Sequence, residues 1–370
     1  MKIHIALLFL LGTFTVSSIA QSNENNLKPW KEYEFIQYIS TSGSSPQNII
    51  GLDNNSSIIL HAKHGVMREL LNQKNIEVTE SQIKLLKTWR LIEEKDKMLQ
   101  TTFPILDSSQ TQQFRSQIQP KAPVLVEKLT PLIEELKIKL EALGRSDNAY
   151  SITFSYILDG LIWDEFEQAG LLKERNITVE KPFWDGEVWA LYPKRNNVVG
   201  TNTISDQGVQ FKINWTYQII PKMVPFVSDF KNLTKMVEDY ITQGEVINDE
   251  PLRIFEPYNL FDAKGKFTVP IIKEDKSNPL FTTSTKAAQL IAREVPVLLN
   301  LQEMQNEYDF RDQQQTLIIA YHELMWEVIN TLVERNIVEK PKALANPSVA
   351  VSADIADLIF IVDKRPHTDN

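Results

Sequence analysis

Two stretches of the chain carry the same short motifs about 160 residues apart. Leu161-Ile162-Trp163-Asp164 matches Leu324-Met325-Trp326-Glu327, and the segment 174–182 is nearly repeated by 334–341. Coincidence between short apolar motifs is the alternative explanation. We favour duplication of a unit of roughly 80 residues, with small deletions between the copies. A duplication of this size predicts that two parts of the chain share one fold.

The first twenty residues have the features of an export signal. Lys2 supplies a positive start, an apolar run follows over 5–11, and Ser18-Ile19-Ala20 places small residues before Gln21. We therefore predict a signal peptide over 1–20, cleaved after Ala20, with a periplasmic or extracellular mature protein. The apolar run is too short to span a bilayer, and no later segment approaches eighteen consecutive apolar residues. The mature chain is accordingly expected to have no membrane span.

Composition excludes several chemistries. The chain has no cysteine, which removes disulfides, thiolate metal sites, cysteine nucleophiles and a lipid anchor at the cleavage site. The formal net charge of −9 and the lack of a basic stripe predict no binding to nucleic acid, because phosphate backbones repel an acidic surface. No glycine-rich phosphate loop is present. We predict no cofactor.

Local patterns in the first copy predict a compact arrangement of helices and a hairpin. A helix is expected over 65–75, and Thr79-Glu80-Ser81-Gln82 has the pattern of a capping box that opens a second helix. The stretch 91–106 has the pattern of a hairpin. This order resembles the winged helix-turn-helix units of bacterial DNA-binding repressors. The resemblance implies a winged-helix-like fold. Because the chain has an export signal and is acidic, we expect such a unit to serve in packing or protein binding rather than in DNA binding.

Longer helices are expected after each hairpin, at 124–143, 150–169, 285–301 and 312–335. Pro131 and Pro296 are expected to kink or restart their helices. Asn75, Asn176 and Asn336 each follow a basic residue near a predicted helix end, and asparagine tolerates the left-handed cap position.

The predicted fold class is α+β, with two winged-helix-like α/β repeats and long helices, joined by an aromatic-rich β segment. The expected segments are a signal peptide (1–20), a loose arm (21–58), the first repeat (59–181), the aromatic β segment (182–232), the second repeat (233–345), and a short strand with a disordered tail (346–370).

One candidate site comes from the repeat. Tyr321-His322-Glu323 begins like a zinc-protease helix, but Trp326 occupies the position of the second histidine ligand. His322 alone cannot make such a site, and we predict no metal site. Aligning Trp163 with Trp326 pairs Asp159 with His322, which suggests an acid–base pair near a pseudo-twofold axis. The alternative is that the two residues are unrelated.

A second candidate is the aromatic strand that follows residue 182. On an extended strand Asp185, Glu187 and Trp189 face one way, while Trp184, Val188 and Tyr192 face the other. Paired carboxylates beside aromatic rings are typical of sugar sites. Burial of the same rings in a core is the competing interpretation.

These patterns favour an exported, non-enzymatic binding or scaffold protein with a protein partner or an extracytoplasmic ligand. The alternative is a glycan-binding or glycan-processing protein, and acid–base catalysis by Asp159 and His322 is third. The candidate ligand-binding residues are aromatic: Trp184, Trp189, Tyr192, Trp163 and Trp326. The sequence leaves partner identity and oligomeric state open.

Overall fold

A computed structural model of the protein describes residues 27–38, 45–173, 186–196, 198–216, 219, 230–244, 260–262, 264–345 and 358–362. The fold is α+β, with helices and several small sheets, which confirms the predicted class. The described residues form two units. The first contains those up to Thr111 and those from 186 to Lys194, and the second contains the rest. The signal peptide, Trp184, Asp185 and nearly all of the C-terminal tail lie outside the described residues.

Within its described residues, the first unit has four α-helices and two three-stranded sheets. Its helices are α1 (Pro46–Ile50), α2 (Asn55–His61), α3 (Arg68–Gln73) and α4 (Glu80–Thr88), and its strands are β1 (Glu34–Gln37), β2 (Val66–Met67), β3 (Ile92–Lys95), β4 (Met98–Thr101), β5 (Ile105–Leu106) and β6 (Val188–Leu191). One sheet has the antiparallel order β2-β4-β3. In the other, β6 lies between β1 and β5, antiparallel to β1 and parallel to β5.

The capping box at the start of α4 is present as predicted. The Thr79 hydroxyl accepts from the Gln82 backbone N–H at 3.2 Å, and the Gln82 side chain accepts from the Thr79 backbone N–H at 3.0 Å. These bonds satisfy donors that every helix N-terminus leaves open. Leu86 on α4 packs with Leu71 and Leu99 in one buried cluster, so helices and hairpin share a core.

Two predictions for this unit were wrong. Helical structure begins at Pro46, inside the stretch predicted as a loose arm over 21–58. The predicted helix over 65–75 is shorter, because Val66 and Met67 pair with β4 as a strand. At Val66–Met67 the partner strand β4 stabilises the segment, and local patterns do not reveal a partner about 30 residues away.

The second unit combines long helices with a four-stranded sheet. Its helices are α5 (Ser108–Ile118, which begins in the first unit), α6 (Ala122–Ala142), α7 (Ala149–Ser151), a π-helix (Ile152–Leu161), α8 (Ile162–Gln168), α9 (Phe230–Gln243), α10 (Pro279–Leu298), α11 (Leu301–Tyr308), α12 (Gln313–Glu334) and α13 (Lys342–Ala345). Its strands are β7 (Gly200–Asp206), β8 (Val209–Trp215), β9 (Ile271–Lys273) and β10 (Leu358–Val362), in the order β7-β8-β10-β9.

The long helices form the body of this unit. α6 packs against α10 and α12, and α10 also packs against the π-helix and α8. The face of α6 that carries Leu125, Leu129 and Leu136 is buried, as its spacing predicted. Pro131 does not restart α6, which continues from Ala122 to Ala142. None of the helices in the described ranges is both long and apolar enough to cross a bilayer.

The aromatic stretch contributes to both units. β6 lies in a sheet of the first unit, whereas β7 and β8 pair with each other in the second. In the second copy of the sequence repeat, a short antiparallel hairpin is present around Phe261 and Phe267, with backbone bonds of 2.8 Å from Asp262 N–H to the Lys266 carbonyl oxygen and from Thr268 N–H to the Leu260 carbonyl oxygen. β9, which follows this hairpin, pairs in parallel with β10.

Candidate functional site

The two tryptophans of the repeated motif meet at one histidine in the second unit. The Trp163 ring stacks on the His322 ring, with centroids 4.8 Å apart and planes inclined by 29°. The Trp326 ring lies edge-on to the same histidine at 6.3 Å. The Trp163 indole N–H also donates to Asp159 Oδ1 at 3.2 Å. Asp159 and His322, the predicted acid–base candidates, therefore both contact Trp163.

His322 is held as a neutral, buried ring. Its Nδ1 lies 2.8 Å from the Ile318 carbonyl oxygen, so Nδ1 carries the proton. Burial lowers its pKa to about 4, although the Ile318 bond and nearby Glu323 act in the opposite direction. A histidine that is neutral at pH 7 can be buried against other rings without the cost of burying a charge. General-base chemistry on a substrate from solvent requires access to the ring.

Asp159 occupies a break in a helix. Its φ of −122° and ψ of 22° interrupt the π-helix, and the chain resumes as α8 at Ile162. Such π-helical segments are rare and frequently mark functional sites. Burial raises the pKa of Asp159 to about 6, opposed by the charge of Lys212 and by the Trp163 bond. This half-buried carboxyl group therefore changes protonation near neutral pH.

Lys212 and Gly160 shape the surroundings of this carboxyl group. Lys212 is buried on β8, and its Nζ donates to Thr203 Oγ1 at 2.9 Å. A Cβ atom on Gly160 would lie 2.9 Å from the Ser155 carbonyl oxygen and 3.4 Å from Lys212 Nζ. Glycine is therefore required for the backbone and the lysine to approach this closely.

An ion-pair network includes Glu323, the residue of α12 that directly follows His322. Glu323 is fully buried, and its Oε2 accepts from Arg115 Nε at 2.9 Å and from Arg195. Arg195 also donates to Glu327 at 2.9 Å, and its guanidinium group lies 5.2 Å from the Trp326 ring centroid. The arginines pair with carboxylates that are distant in sequence, so no local motif predicted the network. Its two positive and two negative groups make it a structural element of the core.

The aromatic strand of the first unit differs from the predicted sugar site. Trp189 is fully buried on the central strand β6, so its ring cannot stack on a sugar from solvent. Glu187 is half-buried, and its carbonyl oxygen accepts from the Tyr38 backbone N–H at 2.8 Å. Tyr192 is half-buried and remains available at the surface. Trp163 and Trp326 are buried in the second unit, so ligand stacking from solvent is not available to them either.

An exposed apolar face lies on the β2-β4-β3 sheet of the first unit and on the helix α3 that follows β2. The sequence patterns did not predict it. Met67 and Met98 are opposite each other on β2 and β4, and they are 53% and 44% exposed. Leu70, three residues after Met67 on α3, is 40% exposed. We call these three residues the Met67–Met98 face. Its signal in the sequence was the alternation on β4, where Met98 and Gln100 are exposed and Leu99 is buried.

Gly65 positions Met98 on this face. Gly65 has a φ of +85°, a conformation that side chains rarely adopt. A Cβ atom there would lie 2.6 Å from Met98 Sδ. The methionine therefore folds over a backbone position that only glycine can occupy without strain.

No family model, curated protein or solved structure matches the chain. Within the described ranges, no group of three or more His, Asp or Glu side chains is arranged to hold a metal ion.

Proposed function

We propose that the protein is an exported, non-enzymatic binding protein that docks a protein partner on the Met67–Met98 face. The observation that carries this proposal is the pair of solvent-exposed methionines in direct cross-strand register. Large apolar side chains rarely gather on the surface of a protein without a partner. Methionine is flexible and polarisable, which suits it to binding surfaces.

The arrangement around this face supports an interaction module. The order α2, β2, α3, α4, β3, β4, with β2 added to the hairpin, resembles the layout of a winged-helix unit. A fold of this kind does not fix a function. Arg68, the charged neighbour of Met67, is engaged locally, since it pairs with Glu80 and with Glu94 at 2.7 Å. The apolar side chains are left as the available contact surface.

Photo-crosslinking in the host tests this function. We would replace Met98 with p-benzoylphenylalanine in the full-length chain, and irradiate intact cells. Val297, which is 81% exposed in the second unit, takes the same probe as a matched control. We expect one partner protein to crosslink at position 98 but not at 297. Adding Met67→Ser and Leu70→Ser should lower the yield about tenfold, because about 1.4 kcal/mol of apolar contact is lost.

Two outcomes of the crosslinking experiment contradict the proposal. Identical products at positions 98 and 297 would mean that the probe reports random collisions. A crosslinking yield that is unchanged by Met67→Ser and Leu70→Ser would mean that the face does not bind the captured protein. Export is tested separately by N-terminal sequencing of the mature protein, which should begin at Gln21. A chain that keeps Met1 would contradict export by a cleaved signal.

A further inference from the structure

A second surface of the first unit combines aromatic rings with lysines. Tyr33 is buried, and its ring lies 5.9 Å from the Trp30 ring and 5.4 Å from the Tyr192 ring, measured between centroids. Trp30 and Tyr192 are themselves half-buried, so each has part of its ring at the surface. Two separate parts of the chain, 28–33 and 192–194, thus form one aromatic surface that packs on the buried Tyr33 ring.

Three exposed lysines lie in the same two segments as these rings. Lys28 Nζ lies 6.0 Å from the Tyr192 ring centroid, and the Lys28 backbone hydrogen-bonds the Tyr33 hydroxyl group. Lys194 Nζ donates to the Lys31 carbonyl oxygen at 2.9 Å, and the Lys194 backbone N–H donates to the Glu32 carbonyl oxygen at 3.3 Å. These bonds hold the two segments together. In the described part of the chain none of the three ammonium groups forms an ion pair.

The lysines of this surface carry more charge than the acidic groups near the rings. Tyr33 has a pKa raised by burial and, to a smaller extent, by Asp107, Tyr192 and Glu32, which places both carboxylates close to it. Asp107 caps α5 by accepting from the Gln110 backbone N–H at 2.9 Å, and its charge is offset by nearby Lys63. The three lysines of this surface therefore outnumber Glu32. A positive rim on an otherwise acidic chain favours an anionic ligand.

We propose that the surface formed by Lys28, Trp30, Lys31, Tyr192 and Lys194 binds an acidic carbohydrate chain. The apolar faces of the sugar rings stack on Trp30 and Tyr192, as aromatic side chains with an apolar body and a polar rim allow. The lysine ammonium groups pair with carboxylates of successive uronic acid residues. The cations of this surface are lysines, whereas arginine is the residue most typical of nucleic-acid recognition, which is why we choose carbohydrate over single-stranded nucleic acid.

Calorimetric titration of the mature protein tests this site. The probes are hexagalacturonate, the neutral hexasaccharide cellohexaose, and a six-residue oligothymidylate. We expect hexagalacturonate to bind, and to bind more weakly as salt is added, because exposed charge pairs are screened. The triple variant Lys28→Gln, Lys31→Gln, Lys194→Gln should bind about tenfold more weakly, since each exposed pair adds a small increment.

Matched variants separate this proposal from the proposed protein-binding function. Lys84→Gln changes an exposed lysine on α4 and should leave hexagalacturonate binding unchanged, as should the Met67→Ser, Leu70→Ser variant. Absence of hexagalacturonate binding, or an unchanged affinity in the triple variant, would overturn the carbohydrate site. Tighter binding of the oligothymidylate would also overturn it, and would assign the surface to single-stranded nucleic acid. None of these results bears on the Met67–Met98 face.

Discussion

Replacing Asp159 with asparagine should make the protein more stable at neutral pH. Asparagine keeps the size of the side chain and an acceptor for the Trp163 indole, but it carries no charge. Asp159 has an ordinary pKa of 3.8 when unfolded and about 6 when folded. Because the folded pKa is raised, the fold favours the protonated acid. The stability that this preference provides is complete below pH 3.8 and is lost as the pH rises through 6.

The magnitude follows from the two pKa values. The difference between 3.8 and about 6 corresponds to about 3 kcal/mol of unfolding free energy at pH 7.5. The same two values leave only about 0.5 kcal/mol at pH 4. Asp159 is half-buried rather than fully enclosed, and the variant also loses the attraction of Lys212. We therefore expect a gain of about 1 to 3 kcal/mol at pH 7.5.

Urea unfolding at pH 7.5 and pH 4 measures this difference. The control is Asp164→Asn, an exposed aspartate on α8, which should change stability by less than about 0.5 kcal/mol at either pH. His322 gains its proton near pH 4 in both proteins, so its contribution cancels. A variant that is equally destabilised at both pH values would refute the reasoning. Equal losses would mean that asparagine disturbs packing or the Trp163 hydrogen bond, an effect that does not depend on the charge of the carboxylate.

Three further substitutions test other parts of the account by thermal and urea unfolding. Glu323→Gln should cost about 3 to 5 kcal/mol, because the fully buried Glu323 carboxylate pairs with both Arg115 and Arg195; a cost below about 1 kcal/mol would mean that the network is dispensable. Gly65→Ala should cost about 1 to 3 kcal/mol through strain at a φ of +85° and displacement of Met98, and a neutral result would contradict that geometry. Asn336→Ala, at a φ of +56°, should cost about 1 kcal/mol, whereas Asn336→Gly should not; equal effects of the two would rule out left-handed strain as the cause.

Features set by neighbouring residues were predictable from the sequence. The capping box at Thr79 and Gln82 is present because both partners lie within one helical turn. Asn75 and Asn336 both have left-handed φ values, 60° and 56°, where short polar side chains are tolerated. β10 lies where an apolar run predicted it, over Leu358–Val362.

Features set by distant partners were not predictable. β1 exists because Glu34–Gln37 pairs with β6, about 150 residues away. Arg115 and Arg195 reach Glu323 from segments with no motif in common. A Cβ atom at position 160 would lie 2.9 Å from the Ser155 carbonyl oxygen within the π-helix, whereas the sequence there has the pattern of an ordinary helix. Trp189 reads equally well as a ligand platform or a core residue, and only the sheet order shows that it is buried.

The central claim is that a protein partner binds the Met67–Met98 face. Methyl NMR of the mature protein labelled with ¹³C at the methionine methyl groups tests it most directly, by titration with the partner identified through crosslinking. The buried residues Met304 and Met325 serve as internal controls. We predict that the Met67 and Met98 signals shift or broaden in a saturable way while the control signals stay fixed. Unchanged Met67 and Met98 signals in the presence of bound partner would contradict the account.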